Sequence, residues 1–305
     1  MTVAMSLLAQ ILHIGVMILV APTAAGAMDR LDAKLTGRGG PPILLPWREL
    51  VRLSRKTPLL IESVSVVSRF GPVVGLGATL SAAALVPSFT LGMALSPLAD
   101  MLVIVSLLTV ARVAIALAAM DAGTALPGLT EQGASALAVL AEPALMLAMI
   151  ALALMGGSFN LDLVIAQQRE GVLSPAAGSA LVLTALLALV LADVSAPGRG
   201  SEEAFGGMGL AMVRVVGWLR RLIWIDLIGG LFLPIGMANA ENAPLTWLLG
   251  LTCWVIKLGA FMVVLSGIQM VLGRIPRHNL PDLIGVAALL ALLAIVMVLA
   301  SAGTA

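Results

Sequence analysis

Four ionisable residues stand inside long apolar stretches of this chain: Arg112, Glu142, Asp226 and Lys257. Asp121 closes the stretch that holds Arg112, and Asp193 stands at the end of a further one. A charge held in hydrocarbon costs roughly 2.5–3.5 kcal/mol on insertion scales, so each needs a partner or a task. At about 1.5 Å of rise per helical residue, Arg112 lies about 12 Å and Glu142 about 10 Å from one face of a bilayer. Asp226 and Lys257 lie about 16 Å and about 18 Å from the other. Each pair shares a depth and has opposite signs, which is what makes burial tolerable. Two readings follow: structural ion pairs that lock helices together, or groups on a proton or sodium path. Asp121, Glu142, Asp193, Glu202 and Glu203 gather near one face. Carboxylates collected there raise the local cation concentration and favour the path.

The elements that carry these residues must be membrane helices. The chain is 60% hydrophobic and 11% charged, with a mean hydropathy of +1.10. A soluble domain keeps about a quarter of its residues charged, so the solvent here is lipid. A spanning helix needs about 20 apolar residues, and eight runs qualify: 4–27, 70–92, 97–120, 135–156, 174–194, 207–237, 245–272 and 281–302. They are continuously apolar, unlike the alternating strands of a barrel. The expected fold is therefore all-α and polytopic. With no internal repeat and no low-complexity linker, residues 1–305 read as one membrane domain. No Lys or Arg precedes the first run, so it lacks the basic start of a signal peptide despite small residues from Ala21 to Ala27. It is read as a span.

Positive charge sets the orientation. Arg30, Lys34, Arg38, Arg48, Arg52, Arg55, Lys56 and Arg69 all fall in the segment 28–69, between the first two runs. Arg199 and Arg214 flank the fifth connection, and Arg274 and Arg277 lie in the seventh; Arg169 stands on the other side. The odd connections are expected in the cytoplasm of a bacterium, at its inner membrane, with both termini outside. Within 28–69, residues 43–56 alternate apolar and basic positions at helical spacing, with Arg48, Arg52 and Arg55 at i, i+4 and i+7. This predicts an interfacial helix. Its cations, with Lys56, attract anionic lipid or dock a cytoplasmic partner, and the two uses are compatible.

Other chemistry is excluded. Cys253 is the one cysteine and His13 and His278 are the two histidines, too few to ligate iron–sulfur, haem, copper or zinc centres. Neither a phosphate-binding lysine loop nor a dinucleotide fingerprint is present. Net charge is only +1, so no nucleic acid is expected. No metal and no catalytic residue is assigned to this chain, and any redox centre must sit on a partner.

The segment Arg112–Leu126, containing Asp121-Ala122-Gly123-Thr124-Ala125, is followed by Leu140-Ala141-Glu142-Pro143. Together they resemble the third and fourth helices of the formate hydrogenlyase subunit 4 family, related to subunit 1 (the H subunit) of complex I. Glu62-Ser63-Val64 with Arg69, Pro72 and Leu85-Val86-Pro87 fit too, as do Leu231-Phe232-Leu233-Pro234, Gly236 and Lys257. The resemblance covers nearly the whole chain. It implies a membrane anchor beside a hydrophilic redox arm. Iron–sulfur and hydrogenase-like subunits would carry the iron–sulfur clusters and a nickel–iron centre, and antiporter-like membrane subunits would lie alongside.

The departures from the family are informative. Gly133-Ala134 stand where the family has Arg-Glu, Asp193 stands where it has Glu, and Ile268-Gln269 replace a further Glu. The connection after the fifth run, 193–203, is short. These changes argue against a quinone pocket and for the hydrogenase branch. The expected function is an anchor and coupling subunit of a complex-I-related respiratory or nickel–iron hydrogenase complex. The alternatives are an anchor that has lost conduction and a free-standing secondary transporter.

Overall fold

The structure is a computed structural model, and it describes residues 2–56, 66–121, 125–170, 177–195, 202, 204–240, 244–272 and 279–302. The chain is a membrane-embedded helical bundle. Its helices are α1 (Thr2–Leu35), α2 (Leu45–Ser54), α3 (Val66–Leu85), α4 (Met101–Asp121), α5 (Ala125–Gly156), α6 (Leu161–Arg169), α7 (Ala177–Ser195), α8 (Gly207–Phe232), α9 (Pro244–Leu272) and α10 (Leu280–Ala302). The long helices α1, α3, α4, α5, α7, α8, α9 and α10 fall one on each expected run. Among the described residues, α1, α3, α4, α9 and α10 are long and apolar enough to cross a membrane by length and composition. α8 carries Arg214, Arg220, Arg221 and Asp226, more charge than such a stretch usually holds.

α8 is the centre of the bundle. Every residue from Leu222 to Leu231 is buried, as expected of a helix enclosed on all sides. α1, α2, α3, α4, α6, α7 and α9 all touch it. Beside it, α5, α7 and α10 pack on one another through small residues: Ala144, Ala148 and Ala151 on α5, Ala185 on α7, and Ala287, Ala291 and Ala294 on α10. Lipid is as apolar as a leucine side chain, so helices gain most by bringing their backbones close.

The tightest pairing is α3 on α4. Gly71 and Gly75 lie one turn apart on α3. A Cβ on Gly71 would overlap Ala118 Cβ and stand 2.6 Å from the Ala114 carbonyl oxygen. A Cβ on Gly75 would stand 2.9 Å from Ile115 Cγ1. Only hydrogen at these positions permits the approach.

Several boundaries differ from the expected ones. α1 runs on to Leu35, so the first part of the basic segment 28–69 is helical. α3 ends at Leu85, seven residues before the apolar run does. The chain there turns into a two-residue strand, β1 (Thr90–Leu91), which pairs in parallel with β2 (Ala238–Asn239) just after α8. The fold is all-α as expected, and this short pairing is a local staple within it. Burial of β1 explains it: Thr90 and Leu91 are enclosed, and their backbone needs partners that a helix end does not supply.

A second staple closes the same end of the bundle. Asp162 on α6 accepts hydrogen bonds from Gly92 N (2.7 Å) and Ser96 Oγ (2.5 Å). Asn160 caps α6 by accepting from Leu163 N and donates to the Ser96 carbonyl at 2.8 Å. Burial pushes the Asp162 carboxyl above the ordinary aspartate value, and the bonds from Ser96 and Gly92 pull it back.

The α3–α4 contact is testable. Gly71→Ala should destabilise the protein by about 1–3 kcal/mol, the usual cost of overpacking, read as a lower detergent unfolding temperature. Adding Ala118→Gly should restore part of the loss, because the Ala114 carbonyl still crowds the new methyl. Equal stability of Gly71→Ala and wild type would refute the close approach.

Candidate functional site

The basic segment builds the first part of the site. Pro46 and Leu53 of α2 are buried, Trp47, Glu49 and Leu50 are half-buried, and Arg48, Arg52, Arg55 and Lys56 are exposed. The helix thus lies with one side on α1 and α8 and its cations outward. Two contacts hold it. At Gly26 of α1, a Cβ would overlap the Ile43 carbonyl, so the segment leading into α2 crosses α1 at backbone contact. Glu49 accepts from Arg214 Nη1 of α8 at 2.5 Å, and Arg214 Nε donates to Glu202 at 3.3 Å. Glu49 escaped the sequence reading. Its signal was there: it is the one acid among the cations of 45–56.

The second group lies at the end of the bundle nearest α2. Asp121 closes α4, and its Oδ2 accepts from Ser68 N at 3.3 Å, near the first turn of α3. The first N–H groups of a helix have no partner inside it, and an anion there is favoured by the helix dipole. Asp121 is therefore a cap supplied by a neighbouring helix. Arg112 and Glu142 lie half-buried on the adjacent helices α4 and α5. Among the described residues, salt bridges run from Arg214 to Glu49 and Glu202. Asp193 lies on α7; its side chain is outside the described residues.

Asp226 and Lys257 form a third group at the opposite end. Asp226 is 5% exposed. Its Oδ1 accepts from Trp254 Nε1 at 2.6 Å, and its Oδ2 has no hydrogen-bond partner. Lys257 lies near enough for its charge to act on Asp226, and its Nζ donates to the Leu233 carbonyl at 3.2 Å, just past the end of α8. The cation thus also meets the negative end of the α8 dipole. Asp226, Lys257, Trp254 and Ser88 line one cavity of about 10 Å³.

Asp121 and the pair Asp226 and Lys257 lie toward opposite ends of the bundle. The second and third groups meet α3 at Ser68 and just beyond its end at Ser88, which places them about 30 Å apart along the bundle. Among the described residues, no group of three or more His, Cys, Asp or Glu is placed to hold a metal ion.

Comparison with known proteins places the chain among membrane subunits of respiratory and hydrogenase complexes. The family model described as NADH dehydrogenase matches residues 7–301. Formate hydrogenlyase subunit 4 of Escherichia coli (strain K12) is 25% identical over 311 residues, which is 97% of this chain and 100% of that protein. Hydrogenase-4 component C of the same organism is 25% identical over 279 residues, covering 85% of each. A chain of the membrane-bound sulfane sulfur reductase, an archaeal respiratory membrane complex, superposes with a TM-score of 0.77 at 20% identity. It covers 95% of this chain and 98% of that one, and at this identity the likeness is one of fold.

The Glu49–Arg214 bridge is partly exposed, so it should contribute no more than about 1 kcal/mol of coupling in a double-mutant cycle. Its effect should appear locally. Glu49→Gln should speed tryptic cleavage at Arg48, Arg52 and Arg55, and the charge swap Glu49→Arg with Arg214→Glu should slow it again. Cleavage rates that ignore both changes would show that α2 is held by its apolar side alone.

Proposed function

Because this chain belongs to the NADH dehydrogenase family, we propose that it is the membrane anchor and coupling subunit of a complex-I-related respiratory or nickel–iron hydrogenase complex. The observation that carries this reading is α2. Its apolar side is laid on α1 and α8 and its acid is tied to Arg214. The four cations are left as an exposed row at the bundle's end. Such a row is suited to an acidic partner surface, where charge sets association rate and register. The proposed partner is the hydrophilic arm, with iron–sulfur and hydrogenase-like subunits that hold the clusters; antiporter-like subunits flank the bundle in the membrane. The basic end then faces the cytoplasm of a bacterial inner membrane, and both termini face outward. Two relatives support this by name: one is a subunit of formate hydrogenlyase and the other a component of hydrogenase-4.

In this reading, proton or sodium movement uses Glu142 and Arg112 near the cytoplasmic end, with Asp226 and Lys257 beyond. Asp121, Asp193 and the short connection after α7 provide no quinone site. A second reading, an anchor without conduction, is favoured by one observation: Asp121 already spends its carboxylate on the start of α3.

Two experiments separate these readings. Reversing Arg48, Arg52 and Arg55 to Glu should release the hydrophilic subunits during purification while this chain stays in the membrane. Release should be steeper at high salt for wild type than for the variant. An intact complex at physiological salt would rule out α2 as the dock. For conduction, Glu142→Gln keeps shape and removes charge. It should leave assembly and electron transfer in place and abolish ion uptake per electron in proteoliposomes. An unchanged ratio would leave the anchor without conduction.

A further inference from the structure

The cavity beside Asp226 connects to a residue the proposed path does not use. Its lining includes Ser88, whose Oγ lies 2.8 Å from His13 Nδ1 on α1. His13 is fully buried, and its Nε2 lies 2.9 Å from the Ala83 carbonyl. A carbonyl only accepts, so Nε2 carries the hydrogen. In the neutral ring Nδ1 then accepts from the Ser88 hydroxyl. On the cavity's other side, Asp226 Oδ2 is buried and has no partner. A volume of about 10 Å³ is that of one water, which needs two to four polar partners to be held in place. Ser88, Asp226 and Lys257 supply three.

We propose that one water binds in this cavity and that Asp226 and His13 exchange a proton through it and the Ser88 hydroxyl. The step is balanced. Protonated Asp226 gives its proton to the water, the water passes one of its own to Ser88 Oγ, and Ser88 gives its hydroxyl proton to His13 Nδ1. The products are a carboxylate facing Lys257 and the Trp254 indole, and an imidazolium donating to Ser88 Oγ and to the Ala83 carbonyl. No oxidant or further reactant is needed. Among the described residues, the charged and titratable groups around the exchange are His13 on α1, Asp226 on α8, and Lys257 with Cys253 on α9. The relay moves a positive charge from α8 to α1. As a part of ion coupling it rests on the proposed function; as a proton exchange it stands on this geometry alone.

The chain contains two histidines, so the test can be made on the full-length protein in nanodiscs with ¹⁵N-labelled histidine. His13→Gln assigns the His13 signals, and Asp226→Asn assigns the Asp226 carboxylic band in infrared spectra. In wild type, the His13 ring shift and the Asp226 band should change together as pH is varied, because they share one proton. In Ser88→Ala the two changes should separate, and in Asp226→Asn the His13 shift should move. A His13 signal identical in wild type and Asp226→Asn overturns the relay. Ion uptake per electron in the reconstituted complex reports on coupling separately. Loss in Glu142→Gln together with Ser88→Ala supports a relay that serves coupling. Loss in Glu142→Gln alone removes the relay from the path and leaves the proposed coupling intact.

Discussion

A charge enclosed by hydrocarbon and helix backbone must find opposite charge, hydrogen bonds or water, and in this protein that demand falls mostly on α8. Near one end Arg214 is held between Glu49 and Glu202; near the other, Asp226 is held by Trp254 and faces Lys257. Between them every side chain from Leu222 onward is buried and apolar up to Asp226. Each neighbouring helix is therefore placed by what α8 requires. α2 must lie where Glu49 reaches Arg214. α9 must present Trp254 and Lys257 on one side, three residues apart, so that both face the same turn of α8. Removing either partner leaves an uncompensated charge, which costs more than the bridge itself contributes.

Close packing and polar satisfaction depend on each other on the far side of α8. Gly71 sits three residues after Ser68 on α3, so the glycine contact with Ala118 lies about one turn from the Asp121–Ser68 bond. Asp121 reaches the start of α3 only because the two backbones meet at Gly71 and Gly75. The bond in turn satisfies a backbone N–H that α3 cannot satisfy itself. At the opposite end, Asp162 does the same for Gly92, where α3 has given way to β1. Both ends of the α3–α4 pair are thus closed by a carboxylate from outside α3. A hydrophobic bundle with short connections needs such groups, since lipid offers no donors or acceptors.

The helices were legible because lipid imposes length and apolarity locally, residue by residue. α2 was legible for the same reason: the spacing of Arg48, Arg52 and Arg55 is a property of ten consecutive residues. The contacts between helices were not. Glu49 and Arg214 are 165 residues apart, and nothing in either segment names the other. Depth along a helix says which residues share a level, and Asp226 and Lys257 do line one cavity. Depth says nothing of which way a side chain faces around its helix, so a shared level does not make a contact. His13 read as one of too few metal ligands; its actual partners, Ser88 and Ala83, lie on another helix's end and are invisible to spacing.

If α2 docks a partner, the load reaches the buried clusters by two rigid routes. α1 touches the segment before α2 at Gly26 and carries His13 about three turns from its other end. α8 holds α2 through Arg214 and carries Asp226 about 18 Å further along the same helix. Both members of the proposed relay thus sit on helices whose opposite ends meet the dock. A displacement of one helix relative to the other changes the span from Asp226 to His13 that Ser88 and the water bridge. A single water tolerates only a few tenths of an ångström there before a hydrogen bond lengthens past use. A relay of one water is therefore sensitive to helix position in a way that a direct ion pair between flexible side chains is not. That sensitivity is what coupling between a docked arm and a buried proton would require, and it places the demand on the rigidity of α1 and α8 rather than on any moving loop.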